Sequence, residues 1–235
     1  MTAGVEMFFD PPVVSLLPVQ GQSGQYPVHR IFCVGRNYEA HALEMGMAVD
    51  RETPFYFMKP SSATVQSGAK VKYPPGTDNY HYEMELVVAI GAPAFKVSVD
   101  EAAKAIFGYA TGLDMTRRDL QLEARKKGRP WELGKSFEES AVIAEIVPAA
   151  DVPQIGPQKI SLLVGDEVKQ EAHLSDLVWS VEELISHLSR FYHLEPGDLI
   201  FTGTPAGVGP VLPGDVITGH IDGLPSVTLE ITPAD

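Results

Sequence analysis

Residues 81–91, HYEMELVVAIG, demand an interior strand at one end and place two acids at the other. The run Leu86–Ile90 is apolar throughout, so the segment must lie against a core. Along a strand successive side chains alternate faces, which puts His81, Glu83 and Glu85 on one face and Tyr82, Met84 and Leu86 on the opposite one. Two carboxylates side by side repel unless water screens them or a cation sits between them. A solvated strand face is the ordinary explanation for such acids, and a bound cation is the alternative.

The rest of the 235-residue chain is written in short strands. It holds 21 Gly and 19 Pro, a density of turn formers above average usage. HRIFCVG, PFYFMKP and IFGYATGLD read as further strands, and EPGDLIFTG and LPGDVITGH each read as a Pro-Gly turn leading into one. Three segments read as helices. NYEAHALEMG is short, with Asn37 as N-cap and Gly46 as stop; MTRRDLQLEARKKG is closed by Gly128; SVEELISHLSRFYHL opens on a capping box, Ser180 with Glu183, and carries the apolar stripe Val181, Leu184, Ile185, Leu188. The expected class is mixed, β-rich α+β: a β roll or sandwich with peripheral helices. Residues 1–28, rich in Pro, Gly and Gln, read as an N-terminal arm or small subdomain ahead of a domain spanning 29–235.

A formal charge of -13 disfavours a nucleic-acid partner. The start, MTAGVEMFFDPPVVSLLPVQG, lacks basic residues and is broken by Asp10, Pro11, Pro12 and Pro18, so it reads as neither a signal peptide nor a membrane span. A single cysteine, Cys33 in RIFCVG, suits a reducing cytoplasm and reads as a small buried hydrophobe.

A third acid joins the pair. Asp114 stands where the apolar GYATGLD gives way to the helix, a place where an Asp commonly caps, yet with Glu83 and Glu85 it completes an all-oxygen set suited to Mg2+, Mn2+ or Ca2+. His41 and Glu44 are three apart on the short helix and so share a face, either as a surface pair or as a base with its orienting carboxylate. Lys135 and Gln121 are candidates to stabilise an oxyanion. The glycine-rich turn FTGTPAGVGP, with Gly203 and Thr204, offers amides and a hydroxyl to a carboxylate. It lacks the Lys of a Walker loop and the glycine order of a dinucleotide fingerprint.

GRNYEAHALEMG, FMKPSSATV, HYEMELVVAIG, GLDMTRRDLQ, RKKGRPWELGKSF and FTGTPAGVGP, in that order, resemble the fumarylacetoacetate hydrolase superfamily, and within it the acylpyruvate hydrolase branch. The resemblance implies that Glu83, Glu85 and Asp114 ligate Mg2+ or Mn2+, that His41 and Glu44 form the acid–base pair of a lid, and that Lys135 and Gln121 serve catalysis. It also implies that Thr204 and Gly203, with Arg36, Tyr38, Arg118 and Lys59, meet the substrate. The implied fold is the family's β-sandwich roll and the implied assembly a cytoplasmic homodimer. The implied reaction is cleavage of the carbon–carbon bond of a 2,4-diketo acid, fumarylpyruvate or maleylpyruvate, to pyruvate and a dicarboxylic acid, in aromatic breakdown of the gentisate type. Decarboxylation of oxaloacetate or isomerisation of a dienoic diacid on the same scaffold are the alternatives, with a carboxylate-binding protein lacking chemistry as a third.

Overall fold

The computed structural model describes residues 8–44 and 53–235. Gly46, the expected helix stop, lies outside the described residues. A strand-rich α+β fold is built on one large sheet, in the order Tyr56–Lys59, Ile31–Val34, Leu199–Phe201, Met84–Ile90, Ile106–Asp114, Ala141–Ile143 and Thr64–Gln66. A five-stranded sheet, running from Glu167–His173 through Lys159–Val164, Val216–Ile221 and Val227–Thr232 to Ala69–Lys72, packs against it.

Both faces of the large sheet are covered, which explains why every residue of Met84–Ile90 is buried. Met84, Leu86, Val88 and Ile90 meet Ile160, Leu162, Ile217 and Leu229 of the second sheet. Val87 and Ala89 face the other way, into a cluster with Ile31, Cys33, Phe201, Leu17, Val19, Tyr26 and Val28. Residues 16–28 therefore add a hairpin, Leu16–Pro18 with Gln25–Pro27, to the main core. Among the described residues, their buried apolar side chains Leu17, Val19, Tyr26 and Val28 all belong to that shared cluster. Cys33 is fully buried, and burial pushes its thiol well above the ordinary range, leaving a small apolar side chain.

The strand expected over HYEMELVVAIG is two strands. Tyr80–Tyr82 belongs to a small sheet with Thr116–Arg117 and Gly209–Pro210, whereas Met84–Ile90 belongs to the large one, and the chain changes sheets at Glu83.

The helices follow the sequence more closely. Val181–Leu188 is opened by the Ser180–Glu183 capping box and buries the four stripe residues. Arg118–Lys126 ends two residues before Gly128, which has positive φ. The short helix is Glu39–Glu44, but Asn37 does not cap it. Its side chain instead donates to Trp179 O and Thr202 O, each at 2.9 Å, and accepts from Trp179 N at 2.7 Å. Asn37 thereby ties the lead-in of the helix to the turn that starts at Thr202.

A cap lost costs about 1 kcal/mol, whereas stranding buried backbone groups costs about 1–3 kcal/mol each. Urea unfolding is expected to show a loss of about 1 kcal/mol for Ser180→Ala and of more than 2 kcal/mol for Asn37→Ala.

Candidate active site

Asp114 ends the strand Ile106–Asp114, opposite Glu83 in the ladder that pairs Met84 with Leu113, and its N–H donates to Glu83 O at 2.9 Å. Cross-strand neighbours share a face, so the acids at 83, 85 and 114 project together. One carboxylate oxygen from each lies within 4.8 Å of the other two, and all three residues are buried. Asp114 is thus the end of a strand and caps no helix.

At an effective dielectric near 20, each like-charged pair at that separation costs roughly 3.5 kcal/mol. Three pairs amount to about 10 kcal/mol, the scale of a whole domain's stability, so the cluster must be neutralised. Lys135 Nζ lies 2.6 Å from Glu83 Oε2, 2.8 Å from Asp114 Oδ2 and 2.7 Å from Thr116 Oγ1. Arg118 reaches Glu83 Oε1. Burial raises the Glu83 carboxyl, but Lys135 and Arg118 outweigh it and hold the group well below the carboxylate range. Lys135 is shifted by burial downward and by Asp114 and Glu83 upward, and the two acids prevail.

Glu85 is left differently. Its partner is the Gly203 amide, 2.7 Å from Oε2, and burial, then Asp114 and Glu83, push its carboxyl well above the ordinary range. Asp114 Oδ1 is a buried oxygen with no hydrogen bond; Lys59 Nζ sits 2.9 Å away, off the hydrogen-bond direction. An under-neutralised carboxylate beside an orphaned carboxylate oxygen, with Glu83 completing an all-oxygen set, fits a hard divalent cation.

The other expected residues divide between this cluster and the lid. His41 is buried, and its Nδ1 lies 3.2 Å from Glu44 Oε2. Burial lowers the imidazole below 6.5, while Glu83 and Glu44 pull the other way. Glu44 also accepts from the Gly207 amide at 3.0 Å, which pins the lid helix to the glycine-rich turn. Gln121 accepts from Arg118 through Oε1. Because a guanidinium can only donate, this leaves the amide nitrogen as the donor end of Gln121. Gly134 allows Lys135 to approach, since a Cβ there would meet the backbone nitrogen of Gln121 at 2.8 Å.

Lys59 lies inside the cluster. It is 1% exposed, and its ammonium is used by Met115 O at 3.1 Å, Ser140 Oγ at 3.0 Å, Lys135 O and Asp114. Met115 O, Lys135 O and Ser140 Oγ take its three hydrogens, and Asp114 Oδ1 stands beside it as a charge partner. Gly203 likewise gives its N–H to Glu85, and its φ of +101° with Asn37 Cβ 2.7 Å from any added Cβ restricts the position to glycine. Arg118 donates from Nη1 to Gln121 Oε1 and from Nη2 to Glu83 Oε1. Tyr38 is buried near Glu85 and Asp176, with no hydrogen-bond partner for its hydroxyl among the described residues. Arg36 lies over the Phe55 ring, 5.0 Å from its centroid, in a cleft shared with Trp131 and Arg129. His81 reaches the cluster through Arg118, whose Nε is 3.4 Å from its Nδ1.

Thr116, Ser140 and Gln170 also serve the site and went unread in the sequence. Thr116, two residues after Asp114, was accessible from position. Gln170, in the strand Glu167–His173, belongs to no segment that stood out.

Residues 30–232 match the Fumarylacetoacetate (FAA) hydrolase C-terminal family. The chain is 54% identical to a fumarylpyruvate hydrolase from Ralstonia sp over 193 residues, 81% of this chain and 100% of that protein. It is 43% identical over 201 residues, 86% of this chain and 90% of the other, to the human mitochondrial oxaloacetate tautomerase FAHD1. Among solved structures, fumarylpyruvate hydrolase from Pseudomonas aeruginosa in complex with Mn2+ and pyruvate superposes with a TM-score of 0.94 at 46% identity, covering 97% of this chain and 100% of that one. With the buried acidic set in place and the match running through nearly the whole described core, the chain belongs to the fumarylacetoacetate hydrolase family of enzymes.

Proposed function

We propose that the chain is a divalent-metal-dependent acylpyruvate hydrolase that cleaves a 2,4-diketo acid, with fumarylpyruvate the leading candidate. The observation that carries the reading is the buried set Glu83, Glu85 and Asp114 with the His41–Glu44 pair held against the same turn by Gly207. The Ralstonia relative and the Pseudomonas structure support the substrate class.

Glu83, Glu85 and Asp114 would hold Mg2+ or Mn2+. When bound, the cation supplies Lewis-acid charge at the 2-keto end of the substrate. Thr204, at the turn beside Glu85, meets the substrate carboxylate. His41, kept neutral by burial and oriented by Glu44, takes a proton from the water that attacks the distal carbonyl. Gln121 presents its amide N–H toward the developing oxyanion. Lys135, ion-paired with Glu83 and Asp114, is the neighbouring positive charge. Arg118 acts by holding Glu83 and Gln121 in place.

The oxaloacetate tautomerase relatives favour a second reading, enol–keto interconversion of a 2-keto diacid, which needs an enolisable substrate and a base but no water attack. The two readings separate in one assay. Hydrolysis consumes the ultraviolet absorbance of fumarylpyruvate and releases equimolar pyruvate, stops with EDTA and returns with Mn2+. Tautomerisation leaves fumarylpyruvate intact while accelerating oxaloacetate interconversion.

His41→Ala is expected to lower kcat by about 100- to 10,000-fold while calorimetry finds Mn2+ binding unchanged. Loss of Mn2+ binding in this variant would contradict the division between lid and acids. Burial favours the neutral imidazole, so the pH profile of kcat should stay flat as pH falls to 6.5 and decline only below it. A decline centred above 6.5 would count against His41 as the base.

A further inference from the structure

The side chain of Gln170 is 1% exposed and joins two parts of the site that belong to different segments of the chain. Its Oε1 accepts from the amide of Met84, the residue between the two glutamates, at 3.0 Å. Its Nε2 donates to Thr204 Oγ1 at 2.8 Å and to Pro205 O at 2.7 Å. The orientation of this amide is fixed by chemistry. A backbone N–H can meet only the oxygen end, and a backbone carbonyl only the nitrogen end.

Both hydrogens of the Gln170 amide nitrogen are therefore used, one on Pro205 and one on Thr204. An amide nitrogen has no lone pair to accept with, so Thr204 must be the acceptor in their contact. The threonine hydroxyl has one hydrogen of its own, and among the described residues no acceptor takes it. We infer that Gln170 is a positioning residue that makes Thr204 a hydrogen-bond donor toward the carboxylate of a 2-keto acid. It also locks that donor in register with Glu83 and Glu85 through Met84. The inference rests on the proposed function and extends it, because Thr204 without Gln170 would be free to turn its hydrogen onto Pro205 O or away from the ligand.

The test uses the full chain loaded with Mn2+ and pyruvate as probe, with affinity read by calorimetry. Gln170→Glu keeps the shape but has only lone pairs where the NH2 stood, so the Thr204 hydrogen is drawn onto the new carboxylate. Thr204→Val removes the hydroxyl. Each is expected to weaken pyruvate by about ten- to hundredfold without weakening Mn2+, since a hydrogen bond to a charged group is lost. The effect should fall on KM more than on kcat. Added negative charge alone could also repel pyruvate, and the double variant separates the causes: acting through Thr204, Gln170→Glu weakens binding no further once Thr204 is Val. Gln170→Met, which leaves the hydroxyl free to rotate, should weaken pyruvate less than Gln170→Glu does.

Additive losses in the double variant, or Gln170→Met as damaging as Gln170→Glu, would overturn the inference. So would wild-type affinity in Gln170→Glu. If Gln170→Glu does not fold, the cycle is run with Gln170→Met and Thr204→Val, where coupling supports the role and additivity overturns it. Wild-type pyruvate affinity in Thr204→Val would remove the inference and the role of Thr204 together. Absence of pyruvate binding by the unaltered Mn2+-loaded protein would instead locate the failure in the proposed function.

Discussion

Mutual repulsion among three buried carboxylates is the constraint around which this structure is arranged. Glu83, Glu85 and Asp114 converge because a ladder register places 83 opposite 114 and the strand alternation adds 85 to the same face. Left alone, such a cluster would protonate or unfold its surroundings. Lys135 and Arg118 answer Glu83, and Lys135 and Lys59 answer Asp114, which is why these cations are buried. Glu85 has a backbone amide and, among the described residues, no cationic side chain within bonding reach, and its raised carboxyl pKa marks where positive charge is still wanted.

The same arrangement links the acids to the glycine-rich turn and the short helix. Gly203 gives its amide to Glu85, Gln170 holds Thr204 and Pro205, and Glu44 takes the Gly207 amide, so the turn after Leu199–Phe201 is tied to the acids, to the second sheet and to the lid within five residues. Asn37 closes the loop by joining the lead-in of the lid helix to Thr202. His41 on the short helix and Thr204 on the turn thus keep fixed positions relative to the acids through hydrogen bonds that cross between distant segments. Such preorganisation is what a site needs when the charges it must stabilise appear only during reaction.

Some of this was legible in the sequence and some was not. The two glutamates in HYEMEL, the aspartate of GLDMT and the His41–Glu44 spacing could be read because local periodicity decides which face a side chain takes. The Ser180 capping box and its apolar stripe were readable for the same reason. Continuity of the strand through Glu83 was misread, since a change of sheet is decided by partners far away in the chain. Asn37 looked like a helix cap because its neighbours invite one, yet Trp179 and Thr202 compete for the same side chain and win. Lys59 illustrates the general limit: a lysine at the end of a strand gives no local sign that Asp114, Ser140, Met115 and Lys135 will enclose it.

The most direct test of the central claim is calorimetric titration of the metal-stripped protein with Mn2+, comparing the unaltered chain with Glu85→Gln. If the acids are held together to receive a divalent cation, the unaltered chain binds a single Mn2+ and the variant, isosteric but without the charge that lacks a cationic partner, binds it far more weakly. Undiminished Mn2+ affinity in Glu85→Gln would mean that Lys59, Lys135 and Arg118 complete the cluster as a structural ion network, and that the three acids do not form the metal site.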